Sequence, residues 1–204
     1  AAGGGVWTTG LNNYGQLGLG DEANRTKFEC VRALDGCGIS AVAGGVHHSL
    51  ALSLRHGKVY AFGRGDSGQL GVLDNPGIGV FEHEPVEVGG LPEDVVSISC
   101  GGNHSLALAR KACDAKGGGC SEKKQSRRLS QQFLARPMAG SSTERGTVYS
   151  WGYGDMSALG HGNTRDEPRP KKVNFGPASL STIDVLQVEG GGQHSAILGV
   201  VTTI

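Results

Sequence analysis

The sequence predicts an all-β fold built from repeated units of four antiparallel strands, and three observations support this prediction. Glycine supplies 36 of the 204 residues without the three-residue period of collagen, which is typical of a chain with many tight turns. Two short sequence blocks recur along the chain. No segment has a sustained hydrophobic period of 3.6 residues, so we expect almost no helix.

The first block is a short apolar strand followed by a glycine, a polar turn and a Leu-Gly pair. It reads VWTTGLNNYGQLGLG from Val6, VYAFGRGDSGQLGV from Val59 and VYSWGYGDMSALGHG from Val148. We expect the aligned glycines to be structural residues of the repeat, namely Gly10, Gly63 and Gly152 after the strand and Gly18, Gly71 and Gly160 after the leucine. Trp7 and Trp151 lie in the strand, so we expect both in the core.

The second block reads VAGGVHHSLAL from Val42, ISCGGNHSLAL from Ile98 and VEGGGQHSAIL from Val188. Its aligned histidines are His48, His104 and His194, and a serine follows each of them. Because they recur beside a glycine turn, we interpret them as structural residues that hydrogen-bond the backbone of the turn.

Each unit contains about four short apolar or alternating runs bounded by turn residues, and such runs predict strands. In the middle unit the runs are 41–43, 49–54, 58–62 and 85–88. Four-stranded antiparallel units that repeat around an axis form a β-propeller. We therefore expect one domain over 1–204, a partial propeller of about three repeats at roughly 6–58, 59–147 and 148–204. We also expect the chain to be a piece of a longer propeller, with two complete blades flanked by two halves.

The paired blocks resemble the repeat of the regulator of chromosome condensation family, which joins V-[WY]-x-[WF]-G…GQLG to G-x-x-H-[ST]-x-A-L. The resemblance runs from Val6 to about Val200, and Ser157 and Ala158 are departures from the Gly-Gln of the other copies. It implies a propeller of seven blades. It also permits guanine-nucleotide exchange on a small GTPase such as Ran, which founding members of the family perform.

An insertion at 110–146 interrupts the repeats. It carries nine basic and three acidic residues, with several Gly and Ser, so we expect a disordered loop inside one blade. Its basic cluster suits nuclear import or an acidic surface, and a sequence resembling a basophilic kinase site ends at its serine; the residues are Lys123, Lys124, Arg127, Arg128 and Ser130. A solvated loop insertion without a function is the third interpretation.

Charge and cysteine content limit the classes of function. The formal net charge is zero, which argues against nucleic acid or a membrane as the principal partner. Five scattered cysteines favour reduced thiols in the cytoplasm or nucleus, and the six residues between Cys30 and Cys37 exceed the usual zinc-ligand spacing. The G-x-G-x-x-G match at 63–68 precedes turn residues instead of a helix. We therefore expect no metal, no cofactor and no catalytic site.

Three functions remain open at this point. We favour a non-catalytic protein-interaction scaffold, because the recurring motifs are structural and rigid strands present variable loops well. The alternatives are guanine-nucleotide exchange on a Ran-type GTPase, and substrate recognition as the propeller of a larger protein such as a ubiquitin ligase.

Overall fold

The structure is a computed structural model that describes residues 5–72, 80–110, 146–176 and 182–202. Within these ranges the chain forms twelve β-strands and two short 3-10 turns, Arg32–Leu34 and Asp155–Ser157. The strands are β1 Trp7–Gly10, β2 Arg25–Cys30, β3 Ala41–Gly44, β4 His48–Ser53, β5 Lys58–Arg64, β6 Phe81–Glu87, β7 Val95–Cys100, β8 His104–Arg110, β9 Gly146–Gly152, β10 Glu167–Lys172, β11 Thr182–Gly190 and β12 Ser195–Thr202.

The strands form four antiparallel sheets. The orders are β1-β2, β3-β4-β5-β6, β7-β8-β9-β10 and β11-β12, so two four-stranded sheets lie between two two-stranded ones. This confirms the prediction of an all-β fold with four-stranded antiparallel units. The predicted strands of the middle unit are also confirmed, although β6 begins four residues before the predicted start at Pro85.

The hydrophobic core lies between neighbouring sheets. One cluster joins the first and second sheets and includes Val6, Val31 and Phe62. A larger cluster between the second and third sheets is formed by Leu50, Leu52, Val59, Leu70, Val88, Val95, Ile98, Ala107 and Trp151, among others. A third cluster joins the third and fourth sheets. Each sheet is therefore stabilised by the sheet beside it, as in a propeller.

The two tryptophans have different environments. Trp151 is 0% exposed, as the sequence predicted, but Trp7 is 59% exposed and the prediction for it was wrong. Trp7 lies in β1, the first strand of the first sheet. Among the described residues, no sheet packs against the face of β1 that carries Trp7. An apolar residue on that face of the strand is therefore exposed instead of buried in the core.

The basic insertion at 110–146 lies outside the described residues except at its two ends. Arg110 of β8 is the register partner of Gly146 of β9, so the segment joins adjacent strands of one sheet. Lys123, Lys124, Arg127, Arg128 and Ser130 fall within the part that the structure does not describe.

No helix in the described part of the chain is long and apolar enough to span a membrane.

Candidate interaction face

One end of the sheets carries two kinds of connection. Short turns follow β3, β7 and β11, and longer loops follow β1, β5 and β9. Because antiparallel strands alternate in direction, all six open at the same end. We call this end the loop face and define it as residues 11–24, 45–47, 64–72, 80–84, 101–103, 153–167 and 191–194. The ends of the basic insertion lie at the opposite end of the third sheet.

The six aligned glycines all have positive φ angles. The values are 114°, 105° and 101° at Gly10, Gly63 and Gly152, and 71°, 71° and 73° at Gly18, Gly71 and Gly160. A Cβ on Gly71 would lie 2.7 Å from Nε1 of Trp151, and one on Gly18 would lie 2.9 Å from the Phe62 ring. These two glycines therefore let an aromatic ring of the next sheet pack directly on the turn.

The histidines and serines of the second block bond across neighbouring sheets. His48 Nε2 lies 3.0 Å from Ser105 Oγ, and Ser105 Oγ donates to the Gln69 carbonyl at 2.8 Å. Since the serine has a single proton to donate, the imidazole must carry its proton on Nε2 and donate it to the serine. Each link therefore joins one repeat to the next. We call this arrangement the histidine–serine ladder.

The ladder repeats in the following sheet. His104 Nε2 lies 2.9 Å from Ser195 Oγ, which donates to the Ala158 carbonyl at 2.8 Å. Ser49 donates in the same way to the Gln16 carbonyl. His194, the third histidine of the series, is exposed. For His48 and His104, ring nitrogen Nε2 thus lies beside a serine hydroxyl of the next repeat, a partner that the sequence did not suggest.

Burial keeps the ladder histidines neutral. It lowers the pKa of His48 to about 3, and the neighbouring His104 acts in the same direction. Burial also lowers the pKa of His104, with His194 as the second cause. Desolvation disfavours the charged imidazolium, so both rings are neutral at neutral pH, in agreement with the protonation that the serine bonds require. They hold adjacent repeats together and lie beneath the turns.

The third turn of the loop face departs from the first two. The side-chain carbonyl of Gln16 accepts a hydrogen bond from the backbone N–H of Tyr14, and that of Gln69 accepts one from Ser67. The third repeat has Ala158 at this position and lacks the side-chain acceptor. Met156 and Ser157 adopt positive φ angles of 58° and 59°. This conformation is unfavourable for residues other than glycine, so the third turn carries local strain.

Side chains at the loop face differ from repeat to repeat. Three aligned positions show this, each with one residue from every repeat. The first position has Leu11, Arg64 and Tyr153, the second has Tyr14, Ser67 and Met156, and the third has His47, Asn103 and Gln193. The first two repeats join here in an aromatic group: the Tyr14 ring lies 4.8 Å from that of His47 and 5.1 Å from that of Phe81, with the Arg64 guanidinium 5.3 Å from the Tyr14 centroid. The repeats therefore share their buried framework and differ at this surface.

A cavity of about 590 Å³ opens on the loop face between the third and fourth sheets. It is lined by residues of the three short turns and of the third long loop, including Asn103, Tyr153, Asp155, Met156 and Gln193. The Asn103 side-chain oxygen has no hydrogen-bond partner among the described residues, and Met156 is exposed. The cavity offers polar groups and apolar surface together.

The loop face is acidic. Its described residues include two arginines, Arg64 and Arg165, and eight acids, Asp21, Glu22, Asp66, Glu82, Glu84, Asp155, Asp166 and Glu167. Part of this charge is balanced locally, as in the 2.6 Å ion pair of Arg64 with Asp66.

No group of three or more His, Cys, Asp or Glu in the described ranges could hold a metal ion. Cys30, Cys37 and Cys100 are free thiols.

Comparison with known sequences identifies the repeat. The sequence profile of the regulator of chromosome condensation (RCC1) repeat matches residues 3–52, 56–108 and 145–198. The chain belongs to the RCC1 repeat family. A second profile of the same repeat matches residues 39–69. The resemblance inferred from the two sequence blocks is thereby confirmed, and the RCC1 relatives are propellers whose repeats are generally not catalytic.

This RCC1 chain spans less than half the length of the curated relatives and of the solved structure to which it is similar. The probable E3 ubiquitin-protein ligase HERC3 of Homo sapiens is 32% identical over 197 residues, which is 96% of this chain and 15% of HERC3. The ultraviolet-B receptor UVR8 of Arabidopsis thaliana is 31% identical over 194 residues, 94% of this chain and 33% of UVR8. The crystal structure of Prp20p from Saccharomyces cerevisiae superposes with a TM-score of 0.68 at 25% identity, covering 97% of this chain and 39% of Prp20p.

The sequence did not reveal the cross-repeat partner of the histidines. A signal was present, because a serine follows the histidine in each second block. Reading that serine as the acceptor for the histidine of the preceding repeat would have predicted the ladder. The loop-face residues gave no signal of this kind, since they differ between repeats.

Proposed function

We propose that this chain is a protein-interaction scaffold whose loop face binds a protein partner with a basic surface. The proposal rests on one observation: the residues that the repeats share and the residues that differ between them have different roles. Residues common to the repeats form the glycine turns and the histidine–serine ladder, while the positions that differ converge on one face.

Recognition of a specific partner requires side chains that differ from place to place. The ladder residues recur in the repeats and are occupied by contacts between sheets, so they suit a structural role. Loop positions tolerate variation, and rigid strands hold them in place. The loop face therefore has both the chemical variety and the fixed geometry that an interface requires.

The chemistry of the loop face indicates the kind of partner. Eight acidic residues lie on this face against two arginines, and Arg25 and Lys171 at its border pair with two of the acids. The remaining negative charge favours a basic surface by long-range attraction. Tyr153 and Met156 beside the cavity supply the apolar contact area on which protein interfaces depend. Prp20p, which resembles this chain, is described as binding Gsp1p and histones, and histones are basic proteins.

The test uses purified core histones as the probe. Charge reversal at two exposed residues of the loop face, Glu22→Lys with Glu84→Lys, is expected to slow association about tenfold at low salt. The matched control is Glu93→Lys with Asp35→Lys, which makes the same change of net charge at exposed residues of the opposite end and is expected to alter the rate less than about twofold. Equal slowing by both pairs, or no binding by the unchanged chain, would contradict the proposal.

Guanine-nucleotide exchange on a Ran-type GTPase is the second candidate function. It is favoured by the similarity to Prp20p, whose binding to Gsp1p is described. The match to Prp20p covers 97% of the present chain. Release of fluorescent GDP from the GTPase, measured with and without the chain, tests it. Faster release supports exchange, whereas binding without faster release supports the scaffold alone.

Recognition within a ubiquitin ligase is the third candidate, supported by the 32% identity to HERC3. It would use the same loop face, with catalysis supplied by another domain. For all three candidates we propose the cytoplasm or nucleus as the location, consistent with the free thiols of the described residues.

A further inference from the structure

The third long loop lacks a side chain that the first two loops contain. In the second loop the Gln69 side chain is completely buried, and its nitrogen lies 3.4 Å from Asp66 Oδ1. The aligned residue of the third loop is Ala158, which lines the cavity of about 590 Å³ on the loop face. The cavity therefore borders the position from which the other two repeats project a glutamine.

The second repeat holds an arginine of its own at the carboxylate of this turn. Arg64 donates to Asp66 Oδ2 from Nε at 2.9 Å and from a terminal nitrogen at 2.6 Å. The same guanidinium lies over the Tyr14 ring, 5.3 Å from its centroid. The arrangement combines charge-assisted hydrogen bonds with a cation–π contact.

The third repeat has the carboxylate but not the arginine. Tyr153 takes the place of Arg64, and Asp155 takes that of Asp66. Asp155 accepts hydrogen bonds from the Tyr153 hydroxyl at 3.0 Å and from the backbone N–H of Met156 at 2.9 Å. No ion pair among the described residues includes Asp155, and this carboxylate lines the cavity. Its negative charge is therefore not balanced by a neighbouring cation.

The rest of the lining suits a long cationic side chain. Tyr153 is 41% exposed and Met156 is 64% exposed, which provides an aromatic ring and apolar contact for an aliphatic stem. Asn103 carries a side-chain oxygen without a hydrogen-bond partner among the described residues, and a buried acceptor of this kind gains from a donor. The pKa of Tyr153 is raised, chiefly by its hydrogen bond to Asp155 and next by the charge of that carboxylate.

Backbone strain at the same turn supports a binding role. Met156 and Ser157 both have positive φ angles, whereas the second repeat has Gly68 at the position of Ser157. Strained residues of this kind are concentrated at sites that bind ligands. Met156, one of the two, contributes directly to the cavity lining.

We infer that this cavity binds an arginine side chain of the basic partner, with the guanidinium at Asp155 and Tyr153 and the aliphatic stem along Met156. The inference rests on the function proposed above and adds the residue by which the partner is recognised. Arginine suits the site better than lysine, because its planar group donates several hydrogen bonds in fixed directions, stacks on aromatic rings and is less strongly hydrated. A second copy of the chain is unfavourable as the partner, since it would bring two acidic faces together.

The test compares two fluorescently labelled peptides of equal charge, hexa-arginine and hexa-lysine, by fluorescence anisotropy with the full chain. The acidic loop face attracts both, but hexa-arginine is expected to bind about fivefold more tightly. Asp155→Asn removes the charge while keeping an acceptor for its two donors, and it is expected to abolish this preference. Ala158→Gln introduces the side chain of the first two repeats beside the cavity and is expected to reduce the preference at least about twofold.

The matched control is Glu84→Gln. It removes the same charge from an exposed residue of the loop face that does not line the cavity, so both peptides should weaken equally and the preference for arginine should remain. The two peptides are also compared on the unchanged chain, and that result does not depend on whether a variant folds.

Equal binding of the two peptides by the unchanged chain would overturn this inference and leave the proposed function intact. A preference for arginine that persists unchanged in Asp155→Asn or Ala158→Gln, or that Glu84→Gln removes equally, would also overturn it. If neither peptide binds at millimolar concentration, the proposed function is contradicted together with the inference.

Discussion

The interface between the second and third sheets is complete, whereas the equivalent positions beside β12 are open. In the complete interface Trp151 covers Gly71 and His48 bonds to Ser105. Beside β12, Gly160 faces a cavity and His194 is exposed. Residues of the same type at the same repeat position therefore stabilise the fold only where a neighbouring repeat covers them, as expected when each unit contacts mainly its neighbours.

The largest expected difference lies between the two tryptophans. Trp151→Ala should lower the free energy of unfolding by about 3–5 kcal/mol, because it removes a buried ring from the interface. Trp7→Ala should change it by less than about 1 kcal/mol, since most of that ring is in solvent. Urea denaturation followed by circular dichroism measures both. Similar losses for the two variants would show that burial by a neighbouring sheet does not determine what a tryptophan contributes.

The ladder histidines make stability depend on pH. Folded His48 stays neutral down to a pKa of about 3, whereas the unfolded chain takes up a proton near the ordinary pKa of 6.5. The unfolded state then binds more protons, so the free energy of unfolding falls as the pH drops from 6.5, by about 2 kcal/mol at pH 5.

His48→Gln is expected to reduce this pH dependence, because glutamine donates a hydrogen bond without titrating. His194→Gln serves as the control, since His194 lies exposed beyond the last link of the ladder. Denaturation at pH 5 and pH 7.5 measures both. An unchanged pH dependence in His48→Gln would show that His48 is not buried as a neutral group.

Alanine substitutions at two glycines with the same backbone conformation measure how much the contact with the Trp151 ring adds to destabilisation. Gly71 and Gly160 have φ angles of 71° and 73°, so alanine meets the same backbone strain at both. Only at Gly71 does the new Cβ meet a tryptophan. Gly71→Ala should therefore be more destabilising than Gly160→Ala by about 1–2 kcal/mol. Thermal denaturation of the pair checks this, and equal losses would show that the Trp151 ring adds nothing to the cost at Gly71.

The smallest expected effect concerns the strained third turn. Ser157→Gly should stabilise the chain by about 0.5 kcal/mol, because glycine adopts the positive φ of this position at no steric cost while losing more backbone entropy on folding. The reverse change in the second repeat, Gly68→Ser, should destabilise by more, since its Cβ would lie 2.6 Å from the Cα of Pro168. A destabilised Ser157→Gly would mean that the serine side chain has a role of its own in the turn.

The sequence predicted the parts of the fold that depend on local chemistry. Recurrent glycines marked the turns with positive φ, and apolar runs between them marked strands such as β4 and β5. It did not predict which side of a strand is covered, and this is why Trp7 was wrongly assigned to the core. Coverage depends on the neighbouring repeat, which no local pattern contains.

The loop face was the least predictable part of the molecule. Its residues differ between repeats, so repetition gives no information about them, and the contact of Tyr14 with His47 joins residues 33 positions apart. The sequence predicted a structural role for the aligned histidines but not the bonds of His48 to Ser105 and of His104 to Ser195. Long-range contacts of this kind follow from the packing of sheets.

Native-state hydrogen exchange measures whether a covering neighbour determines the stability of each repeat. We predict the slowest exchange for amides paired between β4 and β5 and between β8 and β9, through opening of the whole structure. Amides on the free edge of β12 should exchange fastest among the strands. Uniform exchange across these strands, or slower exchange in β12 than in β8, would show that a covering neighbour does not determine the stability of a repeat.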